Sequence, residues 1–354
     1  MATSRVIGLD IGSSCVRAAE LEFGRQGRGP NATPTLLRAG QVELPSGAVR
    51  EAEVVQPDVV ASAIRNLWAQ ARFESKDVII GVGNQRVVVR ELDVPAMPAH
   101  QIKAALPFQV GDLLPMAVEE ALLDYYPTGS ADTPQGPVVQ GILVAAQRET
   151  VTANVLAVEA AGLRPVLVDL NGFALLRSLA RGEAVRGTVA LVDIGATVTT
   201  VVVSERGVPR LVRCLPLGGQ SFTTAVAAAM GVPGAEAERI KRELGVTLAA
   251  PPELAAAAEA ITGAVRTLAE SVRNTLVYYT SNHSGNGIDM LVLSGGGSQL
   301  RGLGQYLASA SRLAATLGDP LAGLRMGKTA PRDALGGTGH QFAVPIGLAY
   351  GVAA

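Results

Sequence analysis

Cysteine is nearly missing from this 354-residue chain: Cys15 and Cys214 stand alone and far apart. That excludes a disulfide framework and any paired-cysteine zinc site, and it fits a reduced compartment. Histidine is almost as scarce. His100, His283 and His340 make no HExxH pattern and no cluster, so each reads as a surface or structural residue rather than a metal ligand. Aromatic residues are only 4% of the chain, so the core must be aliphatic. Charge of either sign is in short supply too, at 17% of residues, and nearly cancels to a formal −1. An electrostatic nucleic-acid binder is therefore not expected. No uninterrupted apolar run approaches the ~18 residues of a membrane span. After Arg5 there is a short apolar strand instead of a signal-peptide core. The expectation is a soluble cytoplasmic protein with no direct membrane insertion.

What the chain does have is 48% hydrophobic residues, enough for a large core, and a length that fits two domains of ordinary size. It also has a motif that occurs twice. Ile7-Gly8-Leu9-Asp10-Ile11-Gly12-Ser13-Ser14 and Leu191-Val192-Asp193-Ile194-Gly195-Ala196-Thr197 are each an apolar strand ending in Asp, one apolar residue, Gly and small residues. Such a hairpin suits phosphate. Glycine lets backbone N–H groups approach phosphate oxygens and tolerates the φ of a tight turn. Ser and Thr hydroxyls add donors, and the strand-end Asp can hold Mg²⁺ through water. One copy reads equally as plain hairpin chemistry. Two copies far apart point to two similar domains gripping one ligand. A third element, Leu291-Val292-Leu293-Ser294-Gly295-Gly296-Gly297-Ser298-Gln299-Leu300, reads as strand, glycine turn and helix. It offers bare backbone for a base and ribose beside a helix N-terminus.

The pattern between these motifs predicts strands over 36–43 and 78–82, a helix over 57–72 and a flexible turn over 24–33. From residue 85 to 163 the texture changes to a small α/β insertion, with a strand pair around a polar loop at 128–136 and a helix over 149–161. Residues 164–187 return to the first domain. The second domain, 188–354, holds the repeat hairpin, a turn at Arg206-Gly207, Gly218-Gly219 opening a helix, a long helix within 253–279 and a short one over 344–350.

The order of these motifs resembles the actin/Hsp70/sugar-kinase superfamily over almost the whole chain. Within it, the chain is most similar to the PilM-type assembly proteins of type IV pili, relatives of the cell-division protein FtsA. The matching residues are 7–17 and 192–197, Pro216-Leu217-Gly218-Gly219, and Ala237-Glu238-Arg239-Ile240-Lys241, with Met97-Pro98 and Asp124-Tyr125-Tyr126 in the insertion. Gln109 departs from an acidic residue common there. The resemblance implies an α/β, actin-like (ribonuclease H-like) two-lobed ATPase fold with the insertion, 85–163, interrupting a first lobe of 1–84 and 164–187. It implies ATP and Mg²⁺ as cofactors, with at most slow hydrolysis. It also implies docking of the N-terminal cytoplasmic tail of a PilN-type inner-membrane protein, alongside other pilus assembly proteins, which would hold the chain at the inner face of the membrane. Self-association is left open.

By the same resemblance, Asp10 and Asp193 orient Mg²⁺ and its waters. Gly12, Ser13, Ser14, Arg17, Gly195, Ala196 and Thr197 hold the phosphates, while Gly218, Gly219, Gly295, Gly296, Gly297 and Leu300 line the nucleoside. Glu238 and Lys241, at i and i+3, contact ribose and base, the alternative being an ordinary surface ion pair. Asp169 or Asn171 positions an attacking water, or instead caps a helix. Two look-alikes fall away. Residues 323–329 resemble a P-loop but have one residue too few between the glycines. Residues 295–300 resemble a dinucleotide fingerprint, with Asp319 near the ribose-acid position, but lack its third glycine. Two other functions compete: a sugar-type kinase, for which no convincing substrate-facing Asp is found, and an FtsA-like filament former, whose membrane-tethering C-terminal helix has no counterpart before Ala354.

Overall fold

The protein is described by a computed structural model over residues 4–24, 33–247, 249–283 and 287–351. The expected turn at 24–33 falls, but for its ends, outside these residues.

The first sheet grows from a hairpin. β1 (Ser4–Ile11) folds back on β2 (Cys15–Phe23), with Asp10 opposite Arg17 and Ile11 opposite Val16. β3 (Thr35–Glu43) extends it antiparallel. A small ribbon of β4 (Val49–Arg50) and β5 (Glu53–Val54) leads to α1 (Pro57–Ala71). Proline opens this helix, where its missing N–H costs nothing. Arg72 closes it in the left-handed region at φ 56, donating back to Trp68 O. α1 buries Val60, Ile64 and Leu67 and returns the chain to β6 (Asp77–Val82), parallel to β1.

β7 (Val87–Pro95), α2 (Ala99–Gln109), β8 (Ala121–Thr133) and β9 (Gly136–Gln147) form the insertion. Its antiparallel sheet runs β7-β9-β8, and α2 seals Ile102 and Leu106 against Val94, Tyr125 and Leu143. The polar stretch expected as a loop at 128–136 is mostly strand, since β8 and β9 continue almost to their turn. Next come α3 (Arg148–Ala160) and β10 (Arg164–Leu170), giving a first sheet ordered β10-β6-β1-β2-β3 plus a late strand at its edge.

α4 (Asn171–Leu179) crosses to the second lobe. There β11 (Thr188–Ile194), β12 (Thr199–Glu205) and β13 (Val208–Leu215) make a meander, with Arg206 and Gly207 both at positive φ in the β12–β13 turn. α5 (Gly219–Met230), α6 (Gly234–Leu244) and α7 (Ala255–Asn282) follow, then β14 (Met290–Ser294), α8 (Leu303–Ser311) and β15 (Ala314–Leu317). The order β13-β12-β11-β14-β15 repeats the plan of the first sheet, an antiparallel hairpin flanked by a parallel strand.

The last described segment goes back. β16 (Arg325–Met326) pairs with β3, and α9 (Arg332–Leu335) leads to α10 (Ala343–Ala349), which packs on β1, β2 and α4. The layers are therefore α1 and α3, first sheet, α4 and α10, second sheet, and α5, α7 and α8. Two expected boundaries shift on this packing. α3 belongs with α1 on the first sheet, where Ala157 and Val158 join Ile7 and Leu9, so the insertion ends near 147 rather than 163. α10 and β16 complete the first lobe rather than the second, because their apolar faces meet its sheet. The P-loop look-alike is that edge strand, with Gly327 N–H bonded to Leu36 O at 2.9 Å.

α10 comes this close only because of glycine. A Cβ on Gly8 would lie 2.0 Å from Pro345 O, and one on Gly347 would lie 1.8 Å from Ala174 O.

Candidate functional site

Both Asp-x-Gly motifs end as the same two-residue hairpin. Gly12 N–H bonds Cys15 O at 3.0 Å, and Gly195 N–H bonds Val198 O at 3.0 Å. Neither glycine has the positive φ expected of it. They are needed for room: a Cβ would approach Cys15 O to 3.0 Å in the first hairpin and Val198 O to 2.8 Å in the second. The tips face one another across the lobes, with Ser13 Oγ and Thr197 Oγ1 2.6 Å apart. The backbone N–H groups of Ser13, Ser14, Ala196 and Thr197 have no acceptor among the described residues. Four free donors at two touching tips make an anion cradle.

Beneath the tips are the acids. Burial pushes the Asp10 carboxyl up to about 6, against the pull of the neighbouring Arg17 guanidinium, with Asp193 adding to the rise. Burial also raises Asp193, opposed by the Ser294 hydroxyl, which donates to Asp193 Oδ1 at 2.8 Å, and by Arg17. Arg17 is held by Gln41 Oε1 at 3.1 Å and Gln341 Oε1 at 3.0 Å. Two carboxylates this costly to ionise favour a cation between them.

The second lobe brings its other motifs to the same place. Gly219 N–H and Gln220 N–H donate to Gly195 O (2.9 Å) and Ala196 O (2.7 Å), so the start of α5 fixes the second hairpin from behind. A Cβ on Gly218 would come within 2.6 Å of those same two carbonyl oxygens. The Gly219 N–H is thus spent on the protein, and what it offers a ligand is bare surface. Gly297 lies against it, its Cα 3.7 Å from where a Gly219 Cβ would be. Gly295, at φ +80, turns the chain flat onto Ile194. The helix expected to follow at once is a 3₁₀ turn, Gly296–Gln299, and α8 starts only at Leu303. Leu300 is not at the surface of the cleft: its side chain is in the second-lobe core.

Glu238 and Lys241 do pair, at 2.6 Å, but not on the surface. Lys241 is 8% exposed and reaches Gly219 O at 3.2 Å and Thr223 Oγ1 at 3.0 Å, tying α6 to the N-terminal turn of α5. Burial raises the Glu238 carboxyl, but hydrogen bonds from Lys241, Thr223 and Arg242 outweigh it and hold the group below its ordinary value.

Asp169 is placed differently from both sequence readings. It accepts the Leu170 N–H at 2.7 Å and is ion-paired with Arg177, whose Nε also holds Gly347 O at 3.0 Å. It links α4 to α10; the N-cap of α4 is Leu170, with no side-chain cap. Asn171 Oδ1 is buried with no hydrogen-bond partner among the described residues. The residues missed by sequence reasoning are Ser294, Thr223, His340 and Gln341. Ser294 was legible as the residue before the glycine run. His340 and Gln341 were not, because only the return of the 339–342 turn, where His340 O accepts Gly295 N–H at 3.4 Å, brings them in.

The family model described as type IV pilus assembly protein PilM matches residues 8–351. The chain belongs to that family. Its fold is similar to that of a solved PilM-PilN type IV pilus biogenesis complex, with TM-score 0.84, 29% identity and 97% of each chain covered. It is 25% identical over 263 residues to the cell division protein FtsA of Bacillus subtilis (strain 168), which is 68% of this chain but 58% of that protein's length. MreB 5 of Spiroplasma citri bound to AMPPNP shares the fold at TM-score 0.52 and 11% identity, over 98% of this chain and 95% of that one. The actin-like, two-lobed α/β architecture is thereby established for this PilM-family chain.

Proposed function

We propose that this chain is an ATP-binding scaffold of a type IV pilus machine, which docks the N-terminal cytoplasmic tail of a PilN-type inner-membrane protein and is held at the membrane through it. The observation that carries the nucleotide half is the pair of equivalent hairpins, whose tips meet at Ser13 and Thr197 with four N–H groups around them that have no acceptor among the described residues. The same fold was captured with AMPPNP in MreB 5. Asp10 and Asp193 would hold Mg²⁺, directly or through water. Among the described residues no third acid, histidine or cysteine joins them, which suits a cation that keeps most of its waters and takes phosphate oxygens. When bound, that ion offsets phosphate charge.

The partner half rests on the family and on the similar structure having been solved as a PilM-PilN complex. No described helix is long and apolar enough to cross a membrane, so attachment through a partner is the simpler route. Binding rather than rapid turnover is favoured because Asp169, the carboxylate that the resemblance offers for positioning water, is engaged by Arg177. Calorimetry with Mg·ATP tests the first half: micromolar uptake lost in Asp10→Ala supports it, and no uptake by wild type refutes it. Pull-down of PilN-type tail peptides, with and without ATP, tests the second; a protein that captures none refutes docking.

A further inference from the structure

A cleft of about 560 Å³ opens between α7 and α8, on the outer face of the second lobe and apart from the hairpins. Three arginines line it: Arg266 and Arg273 from α7, and Arg312, which ends α8 in the left-handed region at φ 58. Arg266 and Arg273 are two turns apart on one helix face. Glu270 lies between them, one turn from each, yet pairs with neither, and Arg312 has no carboxylate partner either among the described residues. Unpaired arginines occur elsewhere on the surface too, so what sets these three apart is that they line one concavity.

The walls add donors. Among the described residues the hydroxyls of Tyr306 and Ser309 have no partner, while Ser311 is used internally on Leu307 O at 2.7 Å. Ala269 and Ala310 complete the lining. Three cations against one anion, with free hydroxyls in a concave site, match a multiply charged oxyanion. Arginine's planar fork suits phosphate bidentately, and the volume is that of a small-ligand site. The last turn of α8 borders the cleft and its partial negative charge works against an anion, so binding rests on the three guanidinium groups outweighing it.

We propose that the α7–α8 cleft binds a phosphate-bearing anion, with Arg266, Arg273 and Arg312 as its ligands, independently of the nucleotide site. Inorganic pyrophosphate is the soluble probe, titrated calorimetrically into the full chain, the Asp10→Ala variant and an Arg266→Ala/Arg273→Ala variant. Expected is saturable binding by wild type whose arginine-dependent component, distinct from any uptake at the hairpins, persists in Asp10→Ala and is weakened roughly tenfold per arginine removed. Arg312→Ala, in the opposite wall, weakens it similarly, and Arg312→Lys recovers part. Vesicles containing phosphatidylglycerol distinguish the source. If wild type sediments with them, the double variant does not and pyrophosphate competes, the phosphate is a lipid headgroup; pyrophosphate binding without sedimentation assigns a soluble ligand. The proposal is overturned if wild type takes up no pyrophosphate at millimolar concentration, if the arginine variants bind it as wild type does, or if only a polyglutamate peptide binds. Since the substituted side chains are exposed, unchanged thermal melting confirms that the variants are folded.

Discussion

Replacing Asp10 by asparagine should make the empty protein more stable, and by an amount that depends on pH. In the fold the carboxyl ionises at about 6 instead of 3.8, chiefly because burial disfavours the anion. The folded state therefore holds a proton that the unfolded chain has released between those values, so stability falls as pH rises through the window and levels off above it. That rise corresponds to about 3 kcal/mol lost above pH 7. Asp10 is only half-buried, and screening brings the expected gain in Asp10→Asn to about 2 kcal/mol at pH 8 and about 1 kcal/mol at pH 5. Urea unfolding of both proteins at the two pH values measures it. With Mg·ATP present the order should reverse, because the ion neutralises the wild-type carboxylate and has lost a ligand in the variant. A difference between the proteins that does not change with pH, or a variant less stable without nucleotide, would refute the assignment of Asp10 as a strained, cation-seeking acid.

Two glycine-to-alanine changes should differ in sign. Gly347→Ala puts a methyl group 1.8 Å from Ala174 O, against backbone that cannot rotate away, and should cost about 3 kcal/mol or more in chemical denaturation; Gly263→Ala, in α7 with nothing within 4 Å, should stabilise by about 0.5–1 kcal/mol. Lys241→Ala removes one of three side-chain donors to Glu238 and one of the donors to Gly219 O, and should cost about 1–2 kcal/mol while weakening nucleotide binding measured by calorimetry. Glu53 Oε1 accepts from Asn84 Nδ2 and Thr150 Oγ1 and pairs with Arg86, each at 3.1 Å, clasping both chain crossings of the insertion. Glu53→Ala should speed proteolysis and hydrogen exchange around 84–86 and 147–150, with a stability loss of about 1–2 kcal/mol.

What could be read in advance was whatever depends on near neighbours in the chain. The hairpins at Asp10 and Asp193, the β12–β13 turn and the span of α1 each follow from a few adjacent residues, and all are present. The failures lie where distant segments meet. Lys241 looks like a solvated helix residue until α5 covers it. Gly12 and Gly195 were credited with an unusual backbone angle, whereas the constraint is the oxygen across the turn. α3 carries valines in helical spacing whichever surface it covers, so its pattern could not show that it leaves the insertion for the first sheet. Asp169 next to a helix start reads as a cap, and only the approach of Arg177 and α10 gives it another task.

The placement of α10 has a consequence for how the molecule is made. During translation the first sheet is complete, but for the β16 edge, by residue 170, yet the surface formed by Gly8 and its neighbours waits for a helix that emerges from the ribosome some 170 residues later. The amino-terminal half therefore cannot reach its final packing cotranslationally on its own, and an apolar face stays open to aggregation or to chaperones throughout synthesis of the carboxy-terminal half.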